Sequence, residues 1–439
     1  MQIAQLETLV ADLLAEARRQ GATSAEAAVH QEQGLSVTAR LGEIETIEQA
    51  TEQSLGVTVY QGHCKGSAST QDFSAQAIQD TITAACRIAS YTAADPAAGL
   101  ADAACIATQV PDLDLHHPWE LDAAQAGELA CTCEAAALDY DAKVTNSEGA
   151  SVQTGAHLFV YGNTHGFIGG YPSTRHSLSC TVLTQAGDEM QRDSWYDMAR
   201  IPGKLADVTS IGQRAAQRSL ARLGSRRLPS LQCPVLFRPD MATGLLRSLC
   251  GAIQGHALYR QASFLLDALD QPIFPDWVTI TENPLLRHGL ASAPFDHEGV
   301  ATQQRELVSD GVLRSYILDS YSGRKLNRST TGNAGGVRNL CISNTGQDFA
   351  TLIRQMDRGL IVTELMGQGT NPVTGDYSQG AAGFWVEGGE IQYPVSEITI
   401  AGNLRQMYQQ LQAVGTDNDY PGSTDTGSWL VDGLSIAGC

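Results

Sequence analysis

From Ser24 onward the chain alternates apolar and polar residues through three successive runs, SAEAAVHQEQ (24–33), LSVTARLGEIETIEQA (35–50) and SLGVTVYQGHCKGSASTQ (54–71). A period of two puts neighbouring side chains on opposite faces, so these runs can bury one face as strands and cannot do so as helices. With Gly at the bends they predict a series of antiparallel strands. An amphipathic helix over 2–19 precedes them, its stripe made by Ile3, Leu6, Leu9, Val10, Leu13 and Leu14, with Gly21 as its stop. A second helix is expected at about 75–90.

The same grammar then repeats. A helix is expected at about 121–139, strands over 142–198 and a helix at about 206–223. The segment between the two blocks, roughly 91–118, is rich in Ala, Pro and Asp, has no period and reads as a long connector. GSRRLPS (224–230) leads into a third part with a strand CPVLFRP, a helix over 241–258 and, from 273 onward, short strands with Gly-rich turns. The predicted class is α+β: an N-terminal α/β part of antiparallel strands and helices in two pieces, 1–100 and 101–226, and an antiparallel β-rich, barrel-like domain over 227–439. A chain of 439 residues suits two or three such units.

Charge and composition remove several functions. The net charge of −20 repels nucleic acid and anionic lipid alike. Arg214, Arg218 and Arg222 recur every four residues, followed by Arg226 and Arg227, and read as a solvated helix face rather than a nucleic-acid stripe. The first 22 residues have no basic n-region, and Glu7 and Asp12 interrupt their apolar positions, so a signal peptide is not expected. No stretch approaches the ~20 apolar residues of a membrane span. A cytoplasmic protein without membrane contact is expected. The ten cysteines are scattered, with Cys131 and Cys133 the tightest pair and no C-x-x-C, which argues against a zinc ribbon or a redox motif.

Local motifs give little chemistry. MGQGTNPVTGDYSQG ends in Gly-Asp where a phosphate loop needs Gly-Lys-Ser/Thr. It is expected to be a turn system in which Gly367, Gly369 and Gly375 adopt positive φ. Ser378 is out of register for a nucleophile elbow, and the NAGG at 333–336 is too short for a dinucleotide fingerprint. Asp296, His297 and Glu298 are consecutive and read as a turn, since three successive residues rarely converge on one ion. His116 and His117 likewise read as a surface turn. LLRSLCGAIQGHALYR (245–260) has a helical stripe of Leu245, Leu246, Leu249, Ile253 and Leu258 with a Gly-His pair beside it.

Longer strings are more specific. GHALYRQASFLLD, FDHEGVATQQRELVSDGVLRSYILDSYSGRKLNRSTTGNAGG and GLIVTELMGQGTNPVTGDYSQGAAGFWVEGGEIQYPVSEITIAGNL, with GLSVTARLGEIETIEQ and GVTVYQGHCKGSASTQDFS nearer the N-terminus, resemble the TldD/PmbA family, also called modulators of DNA gyrase, in its PmbA (TldE) branch. The resemblance runs almost end to end. It implies a cytosolic zinc-dependent peptidase formed by two homologous subunits and acting on unfolded or flexible peptides, including a microcin precursor and an addiction-module antitoxin. In that family the TldD-type subunit carries H-E-x-x-x-H on a helix and a Cys near the C-terminus as third ligand.

That motif does not carry over. Aligned on His256, Gly251 stands where the first His would be and Ala252 where the Glu would be. No Cys occurs in DNDYPGS (417–423), and Cys439 is not expected to substitute. His256 is the only candidate donor and is expected not to be a ligand. The resemblance therefore implies a chain with no metal and no catalytic residues of its own and zinc in a TldD-type heterodimer partner, with a homodimer left open as the state of the isolated chain. Peptide-cleft candidates are His256, Tyr259, Arg260, Asn333 and Gln368. Two alternatives are a self-sufficient, metal-independent hydrolase using, for example, His256 with Glu298, and a non-catalytic peptide-binding or regulatory protein.

Overall fold

The structure is a computed structural model that describes residues 2–438. The N-terminal half contains α1 (Ile3–Arg19), β1 (Ser24–Arg40), β2 (Glu43–Gln61), β3 (Cys64–Thr70), α2 (Ala75–Tyr91), α3 (Ala123–Leu138), β4 (Val144–Asn163), β5 (Ile168–Ala186), β6 (Glu189–Ala199) and α4 (Val208–Ala221). All six strands form one antiparallel sheet in the order β3-β2-β1-β4-β5-β6. One sheet thus runs through both N-terminal pieces. The first alternating run and the opening of the second, up to Arg40, form a single strand, and the rest of the second run belongs to β2. Gly34 does not bend the chain but pairs with Ala50 on one side and Gly155 on the other. The reversal comes at Leu41 and Gly42, both at positive φ.

The alternation explains the layers. Ala25, Ala27, Val29, Val37 and Ala39 share one face of β1 and are all buried. α1 and α2 cover the first half of that face and α3 and α4 the second. Burial of each Leu or Val of α1 on this face (Leu6, Val10, Leu13, Leu14) is worth about 1.5–3 kcal/mol. Ser74, Asp122 and Asp207 cap α2, α3 and α4, each side chain accepting a first-turn N–H. α3 and α4 approach closely because Gly212 has no side chain: a Cβ there would lie 2.0 Å from the Cys133 carbonyl. The opposite face of the sheet carries Glu26, Ala28, Phe159 and Tyr161 toward Phe295 of the C-terminal half.

The C-terminal half contains β7 (Leu231–Phe237), α5 (Pro239–Ala252), α6 (Gly255–Tyr259), β8 (Ile280–Glu282), β9 (Arg305–Ser309), β10 (Val312–Leu313), α7 (Ser320–Lys325), β11 (Leu340–Ile342), α8 (Phe349–Met356), β12 (Gly359–Met366), β13 (Asp376–Glu387), β14 (Glu390–Asn403), α9 (Leu404–Gln409), β15 (Leu411–Val414), β16 (Thr424–Asp425) and β17 (Trp429–Ala437). β14-β13-β12-β7-β17 closes on itself through a β14–β17 pairing, which makes the expected barrel. It is not wholly antiparallel, because β7 and β12 run parallel. Helix α5 links β7 to the rest of the domain, so β7 re-enters beside β12 with no hairpin between them. A second sheet, β10-β9-β8-β11-β16, flanks the barrel. Val235, Phe237, Leu245, Leu249, Tyr408 and Trp429 are buried in the shared core.

Two expectations need correction here. The 241–258 helix is broken: α5 ends at Ala252, and Gln254 is extended before α6 begins. The break is non-local in origin, since Ile317 N–H donates to Ile253 O (3.0 Å) and Gly255 N–H to Ile317 O (2.9 Å). The α4 arginines are not a solvated face either. Arg218 pairs with Asp193 (3.0 Å) and Asp240 (3.3 Å), Arg222 with Asp193 and Glu364, and Arg214 with Asp419, which fastens α4 to the barrel. Among the described residues no helix is long and apolar enough to cross a membrane.

Candidate functional site

The corner between α5, α6 and α7 is where the family motif would sit. Pro239 starts α5, and Leu245, Leu246 and Leu249 hold it on the core, so its last turn presents Gly251 to solvent while Ala252 stays buried. A Cβ on Gly251 would meet nothing within 4 Å. His256 is exposed on α6. Tyr259, at the end of α6, sets its ring edge-on to Tyr321 of α7 at 5.9 Å, and the Arg260 guanidinium lies 5.6 Å over Tyr259. The connector is strapped onto the same corner. Lys325 Nζ (2.9 Å) and Tyr321 OH (2.7 Å) both donate to the Asp95 carboxylate, and these bonds hold its pKa down to about 2. Arg324 donates to the Ala97, Gly99 and Leu100 carbonyls.

The other sequence candidates fall at different depths. Gln368 is exposed in the β12–β13 loop, which reaches the segment after α6 through Phe264 N–H to Pro372 O (3.0 Å). Gly367 and Gly375 have the expected positive φ (87° and 80°). Gly369 does not: it is needed for close approach, since a Cβ there would lie 1.4 Å from Ser378 O. Asn333 is buried and donates to both oxygens of Glu282, at 2.8 and 3.0 Å. Glu282 also takes the Arg338 N–H (2.8 Å), and burial raises its pKa.

Asp296, His297 and Glu298 form the expected turn, with the Asp296 carboxylate accepting the N–H groups of Glu298, Val300 and Ala334. Glu298 nevertheless carries more chemistry than a turn residue. Its carboxylate accepts Ser320 N–H at the start of α7 (2.9 Å). Burial, with Asp296 and Asp319 nearby, pushes its pKa up to about 7. Across the same contact Glu26 of β1, raised by burial, accepts Tyr161 OH (2.8 Å) and Tyr60 OH (3.0 Å). Sequence reasoning missed this carboxylate cluster; the acidic pair at 296 and 298 was visible, but its burial was not. His256 and Glu298 share no hydrogen bond.

The donor set at this corner does not fit a zinc centre. Three protein donors and a base are the usual requirement. Gly251 and Ala252 supply none, His256 supplies one, and Cys439 lies outside the described residues. Among the described residues one group of three or more His, Cys, Asp or Glu donors converges, Asp114, His117 and His288, and it does not include His256. Sequence reasoning places His117 with His116 in a surface turn and does not bring it together with Asp114, three residues earlier, or with His288 of a distant loop.

Known proteins agree with this architecture. The PmbA/TldA metallopeptidase family models match as domain 1 over residues 25–89, the central domain over 116–223 and the C-terminal domain over 230–438. The chain is 49% identical over 414 residues to Metalloprotease PmbA of Escherichia coli O157:H7, which spans 94% of this chain and 92% of that protein. It is 47% identical to the Metalloprotease PmbA homolog of Haemophilus influenzae, with the same coverage, 94% and 92%. A crystal structure described as a modulator of DNA gyrase from Bacteroides thetaiotaomicron matches 99% of both chains with a TM-score of 0.93 and 28% identity. TldE from Thermococcus kodakarensis shares the fold, with a TM-score of 0.81 and 19% identity over 98% of this chain and 99% of that one. With the N-terminal sheet, the closed barrel and nearly half of the residues in common, the chain belongs to the PmbA/TldD metallopeptidase family.

Proposed function

We propose that this chain is the PmbA/TldE-type subunit of a cytosolic peptidase built from two homologous chains, and that the zinc and its base reside in the TldD-type partner. Gly251 and Ala252 carry this reading: an exposed position with no donor and a buried methyl group stand where metal chemistry would need an imidazole and a carboxylate. The metalloprotease names of the relatives support metal use by the family, and the TldE name of a fold relative supports the pairing.

The substrates are unfolded peptides bound in extended form, since backbone hydrogen bonds to strand edges give affinity with little demand on sequence. His256, Tyr259, Arg260 and Gln368 are the peptide contacts, while Asn333, buried on Glu282, is not in direct reach of a peptide. The test is His256→Ala in an active mixture with the TldD-type homologue. Hydrolysis of an unstructured peptide should continue, while replacing the first motif His of the homologue should silence it. A loss of kcat at saturating peptide on His256→Ala alone would place essential chemistry in this chain and overturn the reading, whereas a rise in KM alone is the loss of a peptide contact.

A further inference from the structure

Asp114, His117 and His288 bring three ligand atoms within 4.8 Å of one another. His288 Nε2 lies 2.7 Å from Asp114 Oδ2, and His117 Nε2 lies 3.2 Å from Asp114 Oδ1. The two imidazole rings stand at 71° with centroids 5.4 Å apart, so both Nε2 atoms face one carboxylate without stacking.

The surroundings fix this arrangement. Asp114 (φ 55°) and His288 (φ 60°) are both in the left-handed region, which non-glycine residues occupy uncommonly. Their backbones are held there by the fold: His288 N–H donates to Leu113 O (3.1 Å), and Thr174 N–H donates to Leu115 O (2.9 Å). Thr174 Oγ1 accepts His117 N–H (2.9 Å), and a His176 ring nitrogen bonds the His117 carbonyl (2.9 Å). On the opposite loop Arg200 donates to the Thr174, Gly289 and Leu290 carbonyls. The donors are therefore presented by two braced loops from opposite halves of the chain, as a preorganised ligand set is.

We propose that Asp114, His117 and His288 form a binding site for a divalent transition metal such as zinc, which staples the 113–117 loop to the 287–289 loop. Two imidazoles and one carboxylate suit zinc, cobalt or nickel and are a poor set for magnesium or calcium, which require oxygen donors. Each imidazole would bind as the neutral ring, its Nε2 lone pair given to the metal and its single proton on Nδ1. Arg287 shares Asp114 Oδ2 with His288, at 3.0 Å, and its side chain is 69% exposed, so a metal can displace it. A groove of about 400 Å³ lined by Asp112, Asp114, Tyr171 and Pro294 opens beside the site and gives water access to a fourth position. The site is structural and independent of the two-subunit reading, which concerns the α5–α6 corner.

The test uses the full chain, stripped by chelator and titrated with zinc, then with cobalt for its visible absorption. One zinc per chain should bind, cobalt should show bands of a nitrogen- and oxygen-ligated centre, and excess magnesium or calcium should not compete. His117→Ala and His288→Ala should each lower zinc affinity by at least about tenfold, whereas His256→Ala should leave it unchanged. Should the alanine variants fold poorly, Asp114→Asn, which keeps the size and one acceptor oxygen, carries the same expected loss. No saturable uptake by the wild-type chain, or uptake that survives His288→Ala and Asp114→Asn, would overturn the proposal. Uptake lost on His256→Ala would overturn it too, and would separately count against the two-subunit reading.

Discussion

Glu298→Gln isolates the buried carboxylate cluster between the N-terminal sheet and α7. Glu298 titrates near 4.5 when unfolded and at about 7 in the fold, raised mainly by burial and further by Asp296 and Asp319. A raised carboxyl means that the folded chain holds a proton that the unfolded chain has released. Its contribution to stability is fully present below pH 4.5 and is lost as the pH climbs through 7. A rise from 4.5 to about 7, at about 1.4 kcal/mol per pH unit, is a loss of about 3 kcal/mol across that window. Glutamine keeps a carbonyl that can accept the Ser320 N–H and carries no charge, so the variant should escape this loss. Denaturant midpoints of wild type and variant, measured from pH 4.5 to pH 8, provide the assay. The two should agree near pH 4.5 and diverge toward pH 8, with the variant the more stable. Other buried carboxyls, Glu26 and Glu282, are raised in the same direction in both proteins, and Asp296, whose charge acts on Glu298, is relieved of the Glu298 charge in the variant, so the difference between the curves belongs to position 298 and its interaction with Asp296. Parallel curves, or a variant that weakens with rising pH more than the wild type, would refute the argument.

Gly369→Ala should loosen the β12–β13 loop by about 1–3 kcal/mol, because its methyl would collide with Ser378 O and break the Ser378 N–H to Gly369 O bond of 2.7 Å; hydrogen exchange at residues 369–378 should speed up while the barrel core stays protected. Arg218→Ala should cost about 3 kcal/mol, since it leaves the Asp240 carboxylate without its ion pair and Asp193 with Arg222 alone, at a largely buried contact. Protease nicking after α4 should then become faster, and unchanged nicking with unchanged stability would show that these pairs contribute nothing.

What the sequence revealed and what it hid divide along local and distant causes. The alternation at 24–71 announced the strands because burial on one face imposes a period of two wherever it occurs. Gly34 misled because a glycine inside a strand looks the same as one at a bend; its two strand partners, Ala50 and Gly155, decide the matter. The break between α5 and α6 was hidden because Ile317, which causes it, is more than sixty residues away. The arginines of α4 looked solvated because Asp193, Asp240, Glu364 and Asp419 reach them from separate segments. At the candidate site the local reading of Gly251, Ala252 and His256 rests on their own side chains and needs no distant partner. It could not find Asp95 beneath Tyr321 and Lys325, or His288 beside Asp114, because these are meetings of distant loops.

The central claim is that hydrolysis belongs to a pair of chains and its metal chemistry to the other member. Cleavage of an unstructured peptide should be measured with this chain alone, with the TldD-type homologue alone and with the two mixed, each with and without a chelator. The account predicts efficient cleavage by the mixture only, abolished by chelator and restored by zinc. Cleavage by this chain alone at the rate of the mixture, indifferent to chelator, would contradict it.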